Sequence, residues 1–246
     1  MGLSLRVLGC SGSFAAPGGA CTGFIVQSDA AEVWLDAGPG TFGNMQRHTS
    51  LAALDAVVIT HEHPDHWLEL PVVASALRYY QPRDPLPLYT TEGTAACLTQ
   101  LCSGPPEPIP FDITIVSDGD EVQIGDQHWT FSRTDHYVET MAPRIDAAGR
   151  SLAFSADTGP GWGFAALGEG IDVALCESTF LHNRADEGIL HLSARQAGEI
   201  AAAAGVGRLV LTHITPGDDP ETYAVEAAEA FGRDVELAHV DAVYQV

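Results

Sequence analysis

The most informative segment of this 246-residue chain is a hexapeptide of ligand-type side chains, His61-Glu62-His63-Pro64-Asp65-His66. It directly follows the apolar run 55–60, which predicts a buried strand. Residues two apart at the end of a strand project to the same side, so His61 and His63 should converge. The next helix begins here, and its first turn points Asp65 and His66 back toward them. Imidazole and carboxylate groups gathered in this way suit zinc or another divalent transition metal, and an open coordination position would make the site catalytic.

More His and Asp residues follow other predicted strands. One hexapeptide has too few side chains to complete the coordination of two metal ions. The best candidates for the further ligands are His136, Asp157 and His213. Two pairs of segments also echo each other, 33–40 with 152–161 and 57–61 with 209–213. Each is a buried strand that ends in Asp or His. Chance recurrence of turn signals could explain the echo, but a two-fold layered fold would present ligands from matching strand ends, where open sheets bind them.

Short apolar runs between Gly and Pro turns predict ten strands, near 3–8, 22–27, 32–36, 55–60, 86–90, 111–116, 128–135, 151–156, 172–176 and 207–212. Helices are predicted over 64–80, over 194–204 after the N-cap Ser193, and from Pro220 to Gly232. The Gly/Pro-rich segment 103–110 predicts a loop. Because the predicted strands and helices on both sides of this loop follow the same pattern, we expect a single domain over 1–246.

Charge restricts the partners of the chain. It has 33 Asp and Glu against 11 Arg, no Lys, and a formal net charge of −22. That leaves little material for the basic surface that nucleic-acid binding usually requires. The hydrophobic fraction of 46% is ordinary for a globular protein.

Cysteine usage and hydropathy indicate where in the cell the protein is expected. The five cysteines are odd in number and form no C-x-x-C pair, which indicates reduced thiols and a cytoplasmic protein. No apolar run approaches the roughly 20 residues that a membrane-spanning helix needs. We therefore expect no membrane partner.

Taken in order along the chain, these residues resemble the metallo-β-lactamase fold superfamily, which has the same H-x-H-x-D-H signature followed by a His, an Asp and a His. The resemblance covers nearly the whole chain, from Asp36 to His213. It implies an α/β fold, the four-layer αββα sandwich. It also implies two divalent ions, with zinc first and Mn or Fe as alternatives. One ion would be held by His61, His63 and His136, the second by Asp65, His66 and His213, with Asp157 bridging them and Asp36 orienting ligands from behind.

Two later segments resemble the tRNA 3′-processing ribonuclease (RNase Z) branch of that superfamily. They are Cys176-Glu177-Ser178-Thr179-Phe180 and His191-Leu192-Ser193. In that branch the Glu and the His form a proton-transferring pair that acts on a phosphodiester, so the resemblance implies catalytic roles for Glu177 and His191, together with Asp65. The alternative is structural: a Glu bonded to a backbone amide and a His capping a helix.

The chain lacks the large basic arm with which RNase Z enzymes grip tRNA, and it more closely resembles actinobacterial cyclic-nucleotide phosphodiesterases. We expect a small phosphodiester substrate, with a 3′,5′-cyclic nucleotide as the best single candidate. The alternatives are a tRNA 3′-processing endoribonuclease and, from a different class, a catalytically silent metal-binding scaffold. The loop Gly9–Ser13 is predicted to offer backbone N–H groups to the phosphate, or to be a plain turn. Resemblance to RNase Z also implies a homodimer.

Overall fold

A computed structural model of the chain describes residues 2–102 and 108–246. Within those ranges it forms two sheets, six α-helices and two short 3-10 helices. The strands are β1 (Ser4–Gly9), β2 (Gly23–Gln27), β3 (Glu32–Ala37), β4 (Ala56–Ile59), β5 (Leu86–Thr90), β6 (Phe111–Ile115), β7 (Glu121–Ile124), β8 (Gln127–Arg133), β9 (Met141–Ala147), β10 (Arg150–Phe154), β11 (Val173–Glu177), β12 (Arg208–Thr212), β13 (Glu236–Leu237) and β14 (Val243–Gln245). The α-helices are α1 (Thr41–Met45), α2 (Pro64–Trp67), α3 (Leu70–Tyr79), α4 (Glu92–Cys102), α5 (Ala194–Ala203) and α6 (Pro220–Phe231), and the 3-10 helices are Phe164–Leu167 and His182–Glu187.

Both sheets are mixed. The first has the order β14-β1-β2-β3-β4-β5-β6 and the second the order β13-β12-β11-β10-β9-β8-β7. Strands β3 to β6 run parallel in the first sheet, and β10 to β13 run parallel in the second. The carboxyl ends of parallel strands meet at one edge of a sheet, so polar residues that follow these strands are brought together there.

Apolar side chains pack in three layers. Between the sheets, the rings of Phe24 and Phe154 meet edge to face at 5.4 Å. Trp34 packs with the buried side of α3 on the outer face of the first sheet. Leu209 packs with α5 and with Tyr223 of α6 on the outer face of the second. The order helix, sheet, sheet, helix is the predicted αββα sandwich, and the fold prediction is confirmed. Across the described parts of the chain, every helix is too short or too polar to cross a membrane.

The segment after the hexapeptide differs from its prediction. One helix was predicted over 64–80, but the structure has α2 and α3 with a break between them. Pro71 lies in the first turn of α3. Proline has no N–H and its ring clashes with the carbonyl four residues earlier, so the helix cannot run on from Trp67. The prediction of one continuous helix was therefore wrong.

Sequence patterns missed several elements. β9 is a full strand paired with both β8 and β10 although it contains Pro143, a residue that argues against a strand. α4 was missed because Gly93 lies in its first turn and only a few of its apolar residues are buried. Of the predicted loop 103–110, residues 103–107 lie outside the described residues.

Strained backbone marks the edge where the sheets present polar residues. Asp36, Ala156 and His213 have positive φ angles of 55°, 49° and 58°. They lie at or just after the ends of β3, β10 and β12. A positive φ is unfavourable for residues other than glycine, and such strain is typical of functional sites. Each sharp turn redirects the chain where the strand reaches this edge.

Candidate metal centre

The seven predicted ligands come together in two clusters at this edge. In the first cluster, one ligand atom from each member lies within 4.8 Å of the others; its members are His61, His63, His136 and Asp157. The second meets the same condition, and its members are Asp65, His66 and His213. We call them the His61 cluster and the His213 cluster. Strand ends from both sheets contribute, which is why residues up to 152 positions apart meet in one place.

The hexapeptide supplies ligands to both clusters. His61 follows β4 by two residues, and His63 is the extended N-cap of α2, with φ −68° and ψ 137°. Their rings meet at 4.8 Å in the His61 cluster. Asp65 and His66 lie in the first turn of α2 and belong to the His213 cluster. The change from strand to helix therefore divides the four ligand-type side chains of the hexapeptide that belong to a cluster, two to each site.

Asp157 joins the clusters through its two carboxylate oxygens. Its Oδ2 lies 3.5 Å from His61 Nε2 and 3.8 Å from His136 Nε2. Its Oδ1 lies 3.2 Å from His66 Nε2 and 3.4 Å from His213 Nε2. One oxygen thus faces each cluster, as a bridging carboxylate requires.

The donor set fits two divalent cations. His61 Nε2 and Asp157 Oδ1 are buried and make no hydrogen bond to any residue that the structure describes. Buried polar atoms are normally satisfied, so these two call for a ligand. Burial lowers the pKa of His61 to about 4 and of His136 to about 3. Both imidazoles are therefore neutral near pH 7, the form that binds a metal.

Electrostatics at His66 also favour a cation. Burial acts to lower the pKa of His66, but the carboxylates of Asp157, Asp36 and Asp65 outweigh it and hold that pKa well above its ordinary value. The surroundings thus favour a positive charge at this position. A divalent ion in the His213 cluster would satisfy the same carboxylates, because the charge of a bound ion dominates its site.

Asp36 holds the predicted ligand His66 through a contact to the ring nitrogen that faces away from the His213 cluster. Its Oδ2 lies 2.7 Å from His66 Nδ1 and accepts a hydrogen bond from Thr60 Oγ1 at 3.0 Å. Its Oδ1 accepts the Thr60 backbone N–H at 2.8 Å. A carboxylate on the far nitrogen of a ligating His fixes the tautomer and orientation of the ring. Asp36 is fully buried, and it ties the end of β4 to α2.

Glu177 and His191 form a hydrogen-bonded pair beside the clusters. Glu177 Oε1 lies 2.9 Å from His191 Nδ1, and it also accepts the Thr158 backbone N–H at 2.8 Å. Burial acts to lower the pKa of His191, but the Glu177 carboxylate outweighs it and raises that pKa to about 9. His191 is thereby protonated near pH 7 and partly exposed, whereas Glu177 is buried. The pair can deliver a proton to a bound substrate.

The loop Gly9–Ser13 does not offer the N–H groups that were predicted for it. Ser11 donates to Ala20 O at 3.1 Å and Gly12 to Ile214 O at 3.1 Å. Ser13 donates to Asp65 Oδ2 at 2.8 Å. These three N–H groups are already used and are not free for a phosphate, and the one from Ser13 holds the predicted ligand Asp65 in place. Sequence gave no sign of the Ser13 contact.

Gly12→Ala is expected to disturb the His213 cluster. A Cβ at position 12 would lie 2.5 Å from the His213 carbonyl oxygen and 2.7 Å from its Nδ1. Overpacking of this kind typically costs about 1–3 kcal/mol, so the free energy of unfolding of the metal-free protein should fall by that amount in urea titrations. Gly43→Ala is the matched control, since a Cβ there meets nothing within 4 Å. Equal stability of the two variants would contradict the expectation.

The fold, the two clusters and the Glu177–His191 pair define a metal-dependent hydrolase. A family model described as the Beta-lactamase superfamily domain matches residues 32–214, and the chain belongs to that superfamily.

Three relatives locate the chain within it. The uncharacterized protein Rv1339 of Mycobacterium tuberculosis is 34% identical over 98% of this chain and 92% of its own. The probable metallo-hydrolase YhfI of Bacillus subtilis is 26% identical over 99% of this chain and 100% of its own. The crystal structure of YhfI aligns over 100% of both chains with a TM-score of 0.90 and 24% identity. Ribonuclease Z of Haloarcula marismortui is 24% identical over 97% of this chain and 95% of its own. The chain thus lies in the branch that contains YhfI and Ribonuclease Z.

Proposed function

We propose that this protein is a two-metal phosphodiesterase that hydrolyses a small phosphodiester, with a 3′,5′-cyclic nucleotide as its substrate and the 5′-monophosphate as product. The observation that carries the proposal is the Glu177–His191 pair, in which Glu177 Oε1 lies 2.9 Å from His191 Nδ1. The pair lies beside Asp157, whose carboxylate faces both clusters. Cleavage of a P–O bond to a ribose oxygen releases an alkoxide, which needs a proton. A protonated His next to the metal centre supplies it.

The His61 cluster and the His213 cluster would each hold one divalent ion, with zinc proposed first and Mn or Fe as alternatives, since His-rich sites accept all three. When bound, such ions activate water for attack and polarise the phosphoryl oxygens.

The remaining chemistry belongs to side chains of this chain. Glu177 occupies His191 Nδ1, so Nε2 is the nitrogen left to protonate the departing ribose oxygen. General-acid catalysis of this kind contributes typically about 10²–10⁴-fold. Asp36 keeps His66 in one orientation, and Ser13 holds Asp65. These contacts place the ligands before the substrate arrives.

Surface charge supports a small substrate over a polyanion. Among the residues that the structure describes, five of the 11 arginines pair with carboxylates. These pairs are Arg47–Asp241, Arg144–Asp146, Arg150–Asp172, Arg184–Glu187 and Arg208–Glu236. With a net charge of −22, the exterior should repel a long RNA more than it repels a single diester. The similarity to Ribonuclease Z keeps precursor tRNA as the second candidate substrate.

A parallel assay tests the proposal. The zinc-, manganese- and iron-loaded protein is offered 3′,5′-cyclic AMP, a linear dinucleotide, precursor tRNA and bis-p-nitrophenyl phosphate. We expect metal-dependent conversion of cyclic AMP to the 5′-monophosphate. Cutting of tRNA with a steep salt dependence, and no turnover of cyclic AMP, would favour the endoribonuclease. Metal binding without hydrolysis of any diester would favour a silent scaffold and overturn the proposal.

A further inference from the structure

Thr179 lies between the metal centre and the proton-donating pair. It follows β11 by two residues and is 8% exposed. Its hydroxyl oxygen lies 2.7 Å from Glu177 Oε2, 3.0 Å from His213 Nδ1 and 3.2 Å from His191 Nδ1. A single hydroxyl therefore contacts a metal-cluster histidine and both members of the pair.

The three contacts favour one arrangement of the protons. A threonine hydroxyl has one hydrogen to donate and two lone pairs to accept with. Glu177 Oε2 is a carboxylate oxygen that can only accept, so the hydroxyl donates to it. The two lone pairs then accept N–H groups from His213 and His191. A proton on His213 Nδ1 is the form that satisfies the Thr179 contact. His213 Nε2 lies 3.2 Å from Asp65 Oδ2 within the same cluster, so with a metal ion bound between them its lone pair would face the ion.

His213 depends on this hydroxyl more than His191 does. His191 Nδ1 has Glu177 as a second partner at 2.9 Å. For His213 Nδ1, Thr179 Oγ1 is the only hydrogen-bond partner among the residues the structure describes, and the side chain is buried. Without the hydroxyl, the His213 Nδ1–H would be buried and unsatisfied, which favours a turned ring or the other tautomer.

The backbone of Thr179 holds the hydroxyl in place. Its N–H donates to Leu192 O at 3.0 Å, next to His191. Its carbonyl accepts from Thr215 Oγ1 at 2.7 Å and from Tyr223 Oη at 3.4 Å, on the side of His213. The residue is thus fixed to both segments that it links.

We propose that Thr179 is the positioning residue that fixes the Nδ1-protonated tautomer of His213 and thereby sets the metal affinity of the His213 cluster. Its hydroxyl is occupied by these three contacts, so it acts through His213. The inference rests on the two-metal site of the proposed function, but it is independent of the substrate.

Metal titration of two hydroxyl-free variants and one conservative variant tests this role. Zinc binding is measured by competition with a chromophoric chelator in wild type, Thr179→Val, Thr179→Ala and Thr179→Ser. We expect Ser to bind two equivalents like wild type. Val and Ala should keep one tight equivalent and bind the second about 10–100-fold more weakly, the usual effect of losing a ligand's hydrogen-bond partner. Wild-type affinity for both equivalents in either hydroxyl-free variant would overturn the proposal.

A second measurement needs no variant. Long-range ¹H–¹⁵N correlation spectra of the zinc-loaded wild type report which ring nitrogen of His213 carries the proton. A proton on Nδ1 supports the role of Thr179, and a proton on Nε2 overturns it. These measurements also distinguish failure of the proposed function from failure of this proposal. If the protein has no phosphodiesterase activity, the proposed function is overturned but the zinc titration still tests Thr179. If wild type binds no zinc, the metal site itself is overturned, and the role of Thr179 with it.

Discussion

Replacing Asp157 with Asn is expected to abolish most of the activity and to remove metal from the site. Each carboxylate oxygen of Asp157 faces one cluster, at 3.2–3.8 Å from its histidine nitrogens. An amide keeps one oxygen, but its NH₂ group cannot ligate a cation. Burial acts to raise the pKa of Asp157, but the histidines around it, His213 and His66 foremost, outweigh it and hold that pKa well below its ordinary value. The wild-type side chain is therefore an ionised carboxylate that faces both clusters, whereas Asn is neutral.

The expected size follows from what a bound ion supplies. Lewis-acid stabilisation by a metal is worth several kcal/mol, so kcat/KM should fall by about 10³-fold or more. Metal content, measured by mass spectrometry, should fall from two equivalents to one or none. Asp112→Asn on β6 is the matched control, because Asp112 is exposed and distant from the metal ligands in sequence. Two tightly bound ions and activity within a few-fold of wild type in Asp157→Asn would refute the bridge.

The His191→Ala variant should lose activity without losing metal. Because the ribose oxygen of a cyclic nucleotide leaves as an alkoxide, kcat should fall by about 10²–10⁴-fold on that substrate. Bis-p-nitrophenyl phosphate releases a stable phenolate that needs no proton, so its hydrolysis should be reduced much less. Such a split by leaving group identifies a proton donor, which a structural histidine would not produce. Glu177→Gln should give a smaller loss of the same kind.

Metal content decides between two roles of His191. A ligand atom of His191 also lies within 4.8 Å of ligand atoms of Asp157 and His213. A loss of one metal equivalent in His191→Ala, with equal losses on both substrates, would make His191 a ligand and contradict its role as the acid. His128→Ala serves as the control, because this histidine is half-exposed on β8 and its Nε2 lies 3.5 Å from the Glu121 carboxylate, outside both clusters. Its kinetics should match those of wild type.

Local patterns were sufficient for the elements that carry the ligands. The hexapeptide after β4 is a local signal, because the change from strand to helix divides its side chains whatever the rest of the chain does. The capping box at Ser193 and the N-cap Asp219 likewise marked the starts of α5 and α6. By contrast, β9 could not be read from sequence. Pro143 pairs with Phe131 of β8, but the register with β10 ends at Arg144, so the proline lies where the strand has no ladder partner on the β10 side and its missing N–H is tolerated.

The sequence by itself determined the candidate residues: the hexapeptide, the later His and Asp at strand ends, and, through the resemblance to RNase Z, Glu177 with His191. Only the tertiary structure decided how they work together. Asp157 turns one oxygen to each cluster, Ser13 reaches Asp65 across 52 residues, and Thr179 reaches His213 across 34. The physical reason is that residue type fixes what a side chain can bind or donate. The partners it meets depend on which strand ends the two sheets bring to one edge, and no local pattern encodes those long-range contacts.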